Sequence, residues 1–390
     1  MTAETPLVSQ RKVPRGKLAP GCPVHSTADG VWQVHDFATA REILRSTETR
    51  QAGFRAEQAK KAEKRMRLPV LYRDGTEHRE HRRQTAKYFT PRRVDTAYRS
   101  LMERLADEQI AQLRRRGEAD LSKLSFELAV AVTAEVMGLT ERAPGMPKRL
   151  DRFFMERSAR IPVVGWIKSV WSNTAIAMFY YRDVRPSVRV RRRERRDDLI
   201  SHLIDEGCTD AEILGECVTF GAAGMATTRE FITVAAWHLF ADDDLRAAYT
   251  TGTEPERTAI LHEILRLEPV VFDLYRRTSA DITVPGAVIP AGAIVEVGVA
   301  AANVDPDVVG AQADRVCPNR PLAAGVREAV LSFGDGPHRC PGEHVAIQET
   351  DIFLVKLFAL PGLRMVTAPK VGARPGISSY EVTNLRVAVD

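Results

Sequence analysis

The chain has 390 residues, carries 56 Lys and Arg against 51 Asp and Glu for a formal net charge of +5, and is 44% hydrophobic. That balance belongs to a globular protein with a sizeable core and excludes a disordered tail, a collagen-like chain and a small disulfide scaffold. No run of 18 apolar residues occurs, so no membrane span is expected; residues 1–17 lack the apolar stretch of a signal peptide, so the expected location is cytoplasmic.

Residues 1–25 are polar and proline-rich and read as an N-terminal arm. Residues 26–390 read as a single domain, because no linker, repeat or low-complexity segment interrupts them. A short strand pattern at 31–34 is followed by a helix over 38–45, and from Thr76 onward the chain is mostly helical. Residues 101–113, 121–137 and 213–240 each repeat apolar side chains at helical spacing. Residues 182–196 pack eight arginines into fifteen positions. They read first as a solvated helix face, with a docking surface for an acidic partner as the alternative. No interleaving of basic and aromatic residues points to nucleic acid, and neither a nucleic-acid nor a membrane partner is expected.

The helix over 212–240 would be about 43 Å long at 1.5 Å per residue, enough to cross a whole domain. Its middle, Phe220-Gly-Ala-Ala-Gly-Met-Ala-Thr-Thr228, is built of small residues. They let a flat cofactor approach the backbone, and close helix packing would select them equally well. Residues 282–297, β-branched and broken by Gly and Pro, read as a hairpin; a last strand pair is expected over 380–389. The fold class is therefore mainly α with small β-sheets.

The five cysteines, at 22, 208, 217, 317 and 340, include no CxxC pair, which fits a reducing compartment in which a special cysteine is a ligand or a nucleophile. Cys340 lies in Ser332-Phe-Gly-Asp-Gly-Pro-His-Arg-Cys-Pro-Gly, a tight-loop composition just before a helical pattern. A helix N-terminus there would favour a thiolate.

The spacing F-G-x-G-x-H-x-C-x-G, carried by Phe333, Gly334, Gly336, His338, Cys340 and Gly342, resembles the haem-binding loop of the cytochromes P450. The resemblance runs from about Val31 to the C-terminus. It implies a cytochrome P450 fold, with haem b (iron protoporphyrin IX) held between the long central helix and the helix after the cysteine loop. Cys340 would be the axial thiolate on the iron, the metal ligand. Phe333 would pack near the sulfur and His338 would bond a propionate. Glu263 and Arg266 resemble the family's E-x-x-R pair, with Arg320 as the third member and Val316 where an aromatic is usual. His78 and Arg82, in H-x-x-x-R, together with Arg276, resemble the propionate donors, and Asn303-Val-Asp-Pro306 resembles the A-N-x-D-P segment. His81 has no role by this resemblance and is expected at the surface.

The central stretch resembles the oxygen groove A-G-x-[D/E]-T-T, with Ala223, Gly224, Thr227 and Thr228 matching. Ala223, Gly224 and Thr227 are thus the catalytic candidates, and Ala226 replaces the usual acid. Pocket walls are expected at 68–73, 153–171, Phe220, Ala223, 270–274 and 378–380, with Asp273 available to a donor on the substrate. The activity implied is that of a haem-thiolate monooxygenase of the soluble bacterial type. It would insert one oxygen atom from O2 into a small organic substrate of secondary metabolism, with electrons from a ferredoxin and ferredoxin reductase docking near Arg79, Arg83 and Arg339. Ala226 motivates one alternative, oxidative coupling or cyclisation without net oxygen insertion; a non-catalytic haem sensor is the alternative of another class.

Overall fold

The computed structural model describes residues 11–13, 23–54, 56–60, 63, 66–155, 174–374 and 377–390. The helices that matter for the site are α1 (Phe37–Arg45), α2 (Gly75–Thr85), α3 (Arg99–Arg116), α4 (Leu121–Met137), α5 (Arg185–Arg193), α6 (Asp210–Ala241), α7 (Glu254–Leu267) and α8 (Glu343–Phe358). Their apolar faces explain them: Met102, Leu105, Ala106, Ile110 and Leu113 of α3 recur every three or four residues and are buried.

α6 is 32 residues long and starts at a capping box in which Thr209 and Glu212 satisfy each other's backbone N–H groups. The largest apolar core gathers α3, α4, α7, α8 and the C-terminal half of α6. A second core surrounds the N-terminal half of α6 and includes Val184 and Val188. The central helix therefore belongs to both, and everything placed on it is held from two sides.

The strands are β1 (Val24–Ser26), β2 (Val31–Val34), β3 (Thr49–Gln51), β4 (Glu118–Asp120), β5 (Asp273–Thr278), β6 (Ile282–Val284), β7 (Ala287–Ile289), β8 (Ile294–Gly298), β9 (Arg364–Thr367), β10 (Lys370–Arg374), β11 (Ser379–Thr383) and β12 (Arg386–Ala388). Five of them form a sheet in the order β1-β2-β8-β5-β3, with β2 and β8 parallel. The stretch 282–297 is thus not one hairpin. β6 and β7 pair with each other, and β8 leaves for the large sheet, redirected by Gly292 at φ +82°. The expected terminal strand pair also divides. Asn384, at φ +60°, turns the chain, so that β11 pairs with β10 while β12 lies between β4 and β9. Of residues 1–25, Val13 packs into the main core at 1% exposure, and β1 already begins at Val24.

Candidate active site

The base of the site is a buried ion network on α7. Glu263 accepts two bonds from Arg266, at 2.7 and 3.0 Å, and its Oε2 also accepts from Arg320 Nε at 3.2 Å and from the Cys317 N–H at 2.9 Å. Removing two such charges from water is costly unless the lone pairs are satisfied, and here both carboxylate oxygens are engaged. Arg266 donates onward to the carbonyls of Asn303, Ala313 and Arg315 at 2.8–3.0 Å. The three residues expected as a set are therefore in contact.

Asn303 carries this frame to the cysteine loop. Its Nδ2 donates to the Arg266 carbonyl at 3.0 Å and to Ser332 Oγ at 2.8 Å, and its Oδ1 accepts from the Leu331 N–H at 2.8 Å. In the loop, Gly334 and Gly336 have φ of +70° and +66°. A Cβ on Gly336 would stand 2.3 Å from the Leu44 carbonyl oxygen, so no other residue fits against α1. The Cys340 N–H donates to the Phe333 carbonyl at 2.8 Å. Cys340 is exposed, yet onto a space inside the protein mass, and burial pushes its thiol up. The Gly342 N–H and Arg82 oppose that push, so the helix-terminus effect is present and is outweighed in the bare protein.

His78 and His338 meet in a stack, and Arg82 and Arg276 lie within electrostatic reach of it. All four expected donors thus converge. Arg276 is 3% exposed and bonds Gln51 Oε1 and the Tyr275 carbonyl, while Arg82 donates to the Arg339 carbonyl at 2.6 Å. Burial pushes Arg276 down to about 10 and, aided by His338, pushes His78 down to about 3. The buried Nδ1 of His78 has no hydrogen-bond partner among the described residues. Asp74, just before the H-x-x-x-R segment, accepts from His338 Nε2 at 2.9 Å and from the Gln51 N–H at 3.3 Å. A cavity of about 670 Å³ opens beside Asp74, His78, Arg276 and His338.

On α6, Ala223 is exposed although the helix around it is buried, and the Thr227 hydroxyl donates to the Ala223 carbonyl one turn back. Both face open space at mid-helix. Gly224 does not belong with them: a Cβ there would lie 3.1 Å from Thr133 Oγ1, so this glycine serves the crossing of α4 over α6. Ala226 is 4% exposed and places no carboxyl in its position. Glu216 and Glu230, the two buried acids of the helix, hold neighbouring segments. Glu230 accepts from the Val382 N–H at 2.7 Å and pairs with Arg229, which also reaches Glu381 at 2.9 Å. Glu216 accepts from the Val70 N–H at 3.0 Å, with Arg73 at 3.5 Å and His81 at 3.8 Å, and burial pushes it up to about 7. His81 is thus a correction to the sequence reading: it is buried at 7% exposure, facing Glu216, because its side of α2 packs toward α6.

Among the expected pocket walls, Phe220 stacks on Phe89 at 5.8 Å, and Phe272 packs on Tyr380 at 5.6 Å. Tyr380 is core at 1% exposure and gives its hydroxyl to the Glu268 carbonyl. Asp273 accepts from Ser378 Oγ at 2.6 Å, which ties β5 to the start of β11. The side chains of 153–171 lie outside the described residues. On the outer face, Arg83 pairs with Glu80 and Arg339 with Glu343, so two of the three cations expected to dock an electron carrier are already neutralised.

The family model described as Cytochrome P450 matches residues 257–360, the span from α7 through the cysteine loop to the end of α8. Cytochrome P450 107B1 of Saccharopolyspora erythraea is 29% identical over 309 residues, covering 77% of this chain and 72% of that protein. The Erythromycin C-12 hydroxylase of the same organism is 28% identical over 363 residues, covering 86% and 83%. Among solved structures, that of CalO2 superposes with a TM-score of 0.79 at 23% identity, covering 94% of this chain and 93% of its own.

Proposed function

We propose that this chain, which belongs to the cytochrome P450 family and is a monooxygenase, inserts one atom of O2 into a small natural-product substrate with electrons from a ferredoxin-type partner. The observation that carries the reading is the cysteine loop: Cys340 opens onto an interior space and is held by the same frame that fixes Glu263, Arg266 and Asn303. The 28% identity to a protein named for hydroxylating erythromycin supports a natural-product substrate. No helix among the described residues is long and apolar enough to cross a membrane; a cytoplasmic location belongs to the proposal.

The family implies a haem, and the residues present suit haem b. A buried imidazole nitrogen on His78 without a partner among the described residues, and the cations Arg82 and Arg276, match the demand of two propionates. His338 would join them, and Cys340 would ligate the iron. When bound, the haem supplies the thiolate-ligated iron at which O2 is activated. Ala223 leaves room at the backbone for that chemistry, and Phe333 shields the cysteine side of the loop. Thr227 holds a hydroxyl at the open face, where its oxygen can accept a hydrogen bond from a water and so position that water to carry a proton. Because residue 226 is an alanine, that proton comes from water or from the substrate.

Ala226 also favours a second reading, coupling or ring closure of a substrate that brings its own acidic O–H or N–H. Product mass separates the two, since coupling removes two hydrogens and hydroxylation adds one oxygen. The test of the main reading is spectroscopic. The reduced carbon monoxide complex is expected to show the red-shifted Soret band of a thiolate-ligated haem and to lose it in Cys340→His. A wild-type complex without that band overturns the assignment.

A further inference from the structure

The arginine-rich segment has no part in the function above, and the structure divides its charges into two sets. Arg191 is buried against Asp198, Arg192 pairs with Asp210, Arg195 with Asp205, and Arg196 faces Glu194 at 3.9 Å. The other set is Arg182, Arg185, Arg189 and Arg193. These recur at three- and four-residue spacing along a stretch that is helical from 174 to 193 and ends in α5. Spacing of that kind puts them along one face. Arg182, Arg189 and Arg193 are exposed with no acidic partner among the described residues, and Arg185 lies over the Tyr181 ring at 5.4 Å.

Solvation alone explains a charge stripe, but not what sits at its end. Tyr181 is 60% exposed and Met178 38%. Only five large apolar residues are exposed among the described residues, so two of the five adjoin this stripe. Arg, Tyr and Met are the residue types enriched where proteins meet proteins. The platform is also firm: Val184 and Val188 are buried beneath it, and Tyr180 bonds Asp210 of α6 at 2.6 Å. Its underside joins the core around the N-terminal half of α6, whereas Phe333 of the cysteine loop packs on the other core. A partner seated here is therefore distinct from an electron carrier, which must approach the cysteine loop.

We propose that this face docks an acidic protein, with carboxylates meeting Arg182, Arg189 and Arg193 and an apolar contact on Met178 and Tyr181. Opposite charge governs the encounter and the salt dependence, while the aromatic anchor governs how long the complex lasts. The proposal goes beyond the oxygenase reading and stands or falls without it.

The test uses the haem-loaded full chain with four probes: an acyl carrier protein as a small acidic helical protein, poly-L-glutamate, a short DNA duplex, and phosphatidylglycerol vesicles. Both acidic polypeptides are expected to bind at low salt and to be released as salt rises. The double reversal Arg189→Glu/Arg193→Glu is expected to weaken both by about tenfold per charge, with an unchanged haem spectrum. Tyr181→Ser should weaken the carrier protein and spare poly-L-glutamate. Failure of both acidic polypeptides to bind, binding that survives the reversal, or tighter binding of DNA or vesicles through the same arginines overturns the proposal.

Discussion

His78 and His338, 260 positions apart in the chain, stack ring on ring with centroids 4.1 Å apart and planes inclined by 21°. Two protonated rings could not share that geometry, and burial lowers both from the ordinary histidine range. The bond from His338 Nε2 to Asp74 opposes the shift of His338 and orients its ring. Asp74→Asn is therefore expected to leave the fold intact and to raise the rate of haem loss to apomyoglobin about tenfold, as for other orienting partners of a cofactor ligand. His338→Leu should raise it as well, and the double variant should add little to the larger single effect. Independent, additive effects would mean that Asp74 does not act through His338.

The Thr227 hydroxyl sits one turn after Ala223 at the open face and donates to its carbonyl. Thr227→Ala is expected to keep haem content and substrate affinity and to divert electrons from product into peroxide. Ala226→Asp should raise product per electron for a substrate without an acidic hydrogen and do nothing for one that has it. Product per electron, measured at equal substrate occupancy, decides both. An unchanged ratio in Thr227→Ala places the proton path elsewhere.

Glu349 of α8 is fully interior, and burial alone pushes its carboxyl up to about 8 from 4.5. Its Oε1 has no hydrogen-bond partner among the described residues. A raised folded value means a stabilising contribution that is complete below about 4.5 and is lost as pH rises through about 8. Glu349→Gln removes that dependence. Relative to the parent it should gain on the order of 1–3 kcal/mol at pH 9 and almost nothing at pH 5, as read by denaturant unfolding at each pH. A gain of the same size at both would point to packing rather than charge.

Breaking the α7 network should be the most damaging single change. Glu263→Ala leaves Arg266, which is 0% exposed, and the partly enclosed Arg320 without their carboxylate. The expected loss is about 3–5 kcal/mol, with haem content falling alongside because Asn303 no longer holds Ser332 in place. Expression as a stable, haem-loaded protein at wild-type yield would contradict this.

The sequence reading located the helices well where the pattern is local and periodic. The helical apolar faces of 101–113 and 121–137, the loop at 332–342 and the pair Glu263–Arg266 all depend on spacing within a few residues. It went astray where the deciding contact is distant. His81 looks like a solvent-facing residue in a highly charged helix, and only Glu216, 135 positions later, makes it interior. Gly224 matches a motif for cofactor approach, but Thr133 on another helix explains it. The strands after 282 carried the right β-branched composition, and composition does not say which edge a strand will pair with. Asp74 gives no signal because a lone polar residue has no period, and its role exists only through partners more than twenty residues away; Asn303 is marked by its motif, but its bonds to Ser332 and Leu331 are not.

Glu216 and Glu230 of α6 grip main chain as well as side chains: Glu216 takes the N–H of Val70 beside Arg73, and Glu230 takes the N–H of Val382 beside Arg229. For anyone wishing to retarget the enzyme, this separates two kinds of library. Randomising Leu68 or Tyr72, which line the cavity beside His78, samples new linings on a scaffold whose height above the central helix stays fixed, because the gripped amide of Val70 survives any substitution but proline. Altering Glu216 or Glu230 instead releases a whole wall at once, and a screen that includes those two positions explores pocket size rather than pocket chemistry.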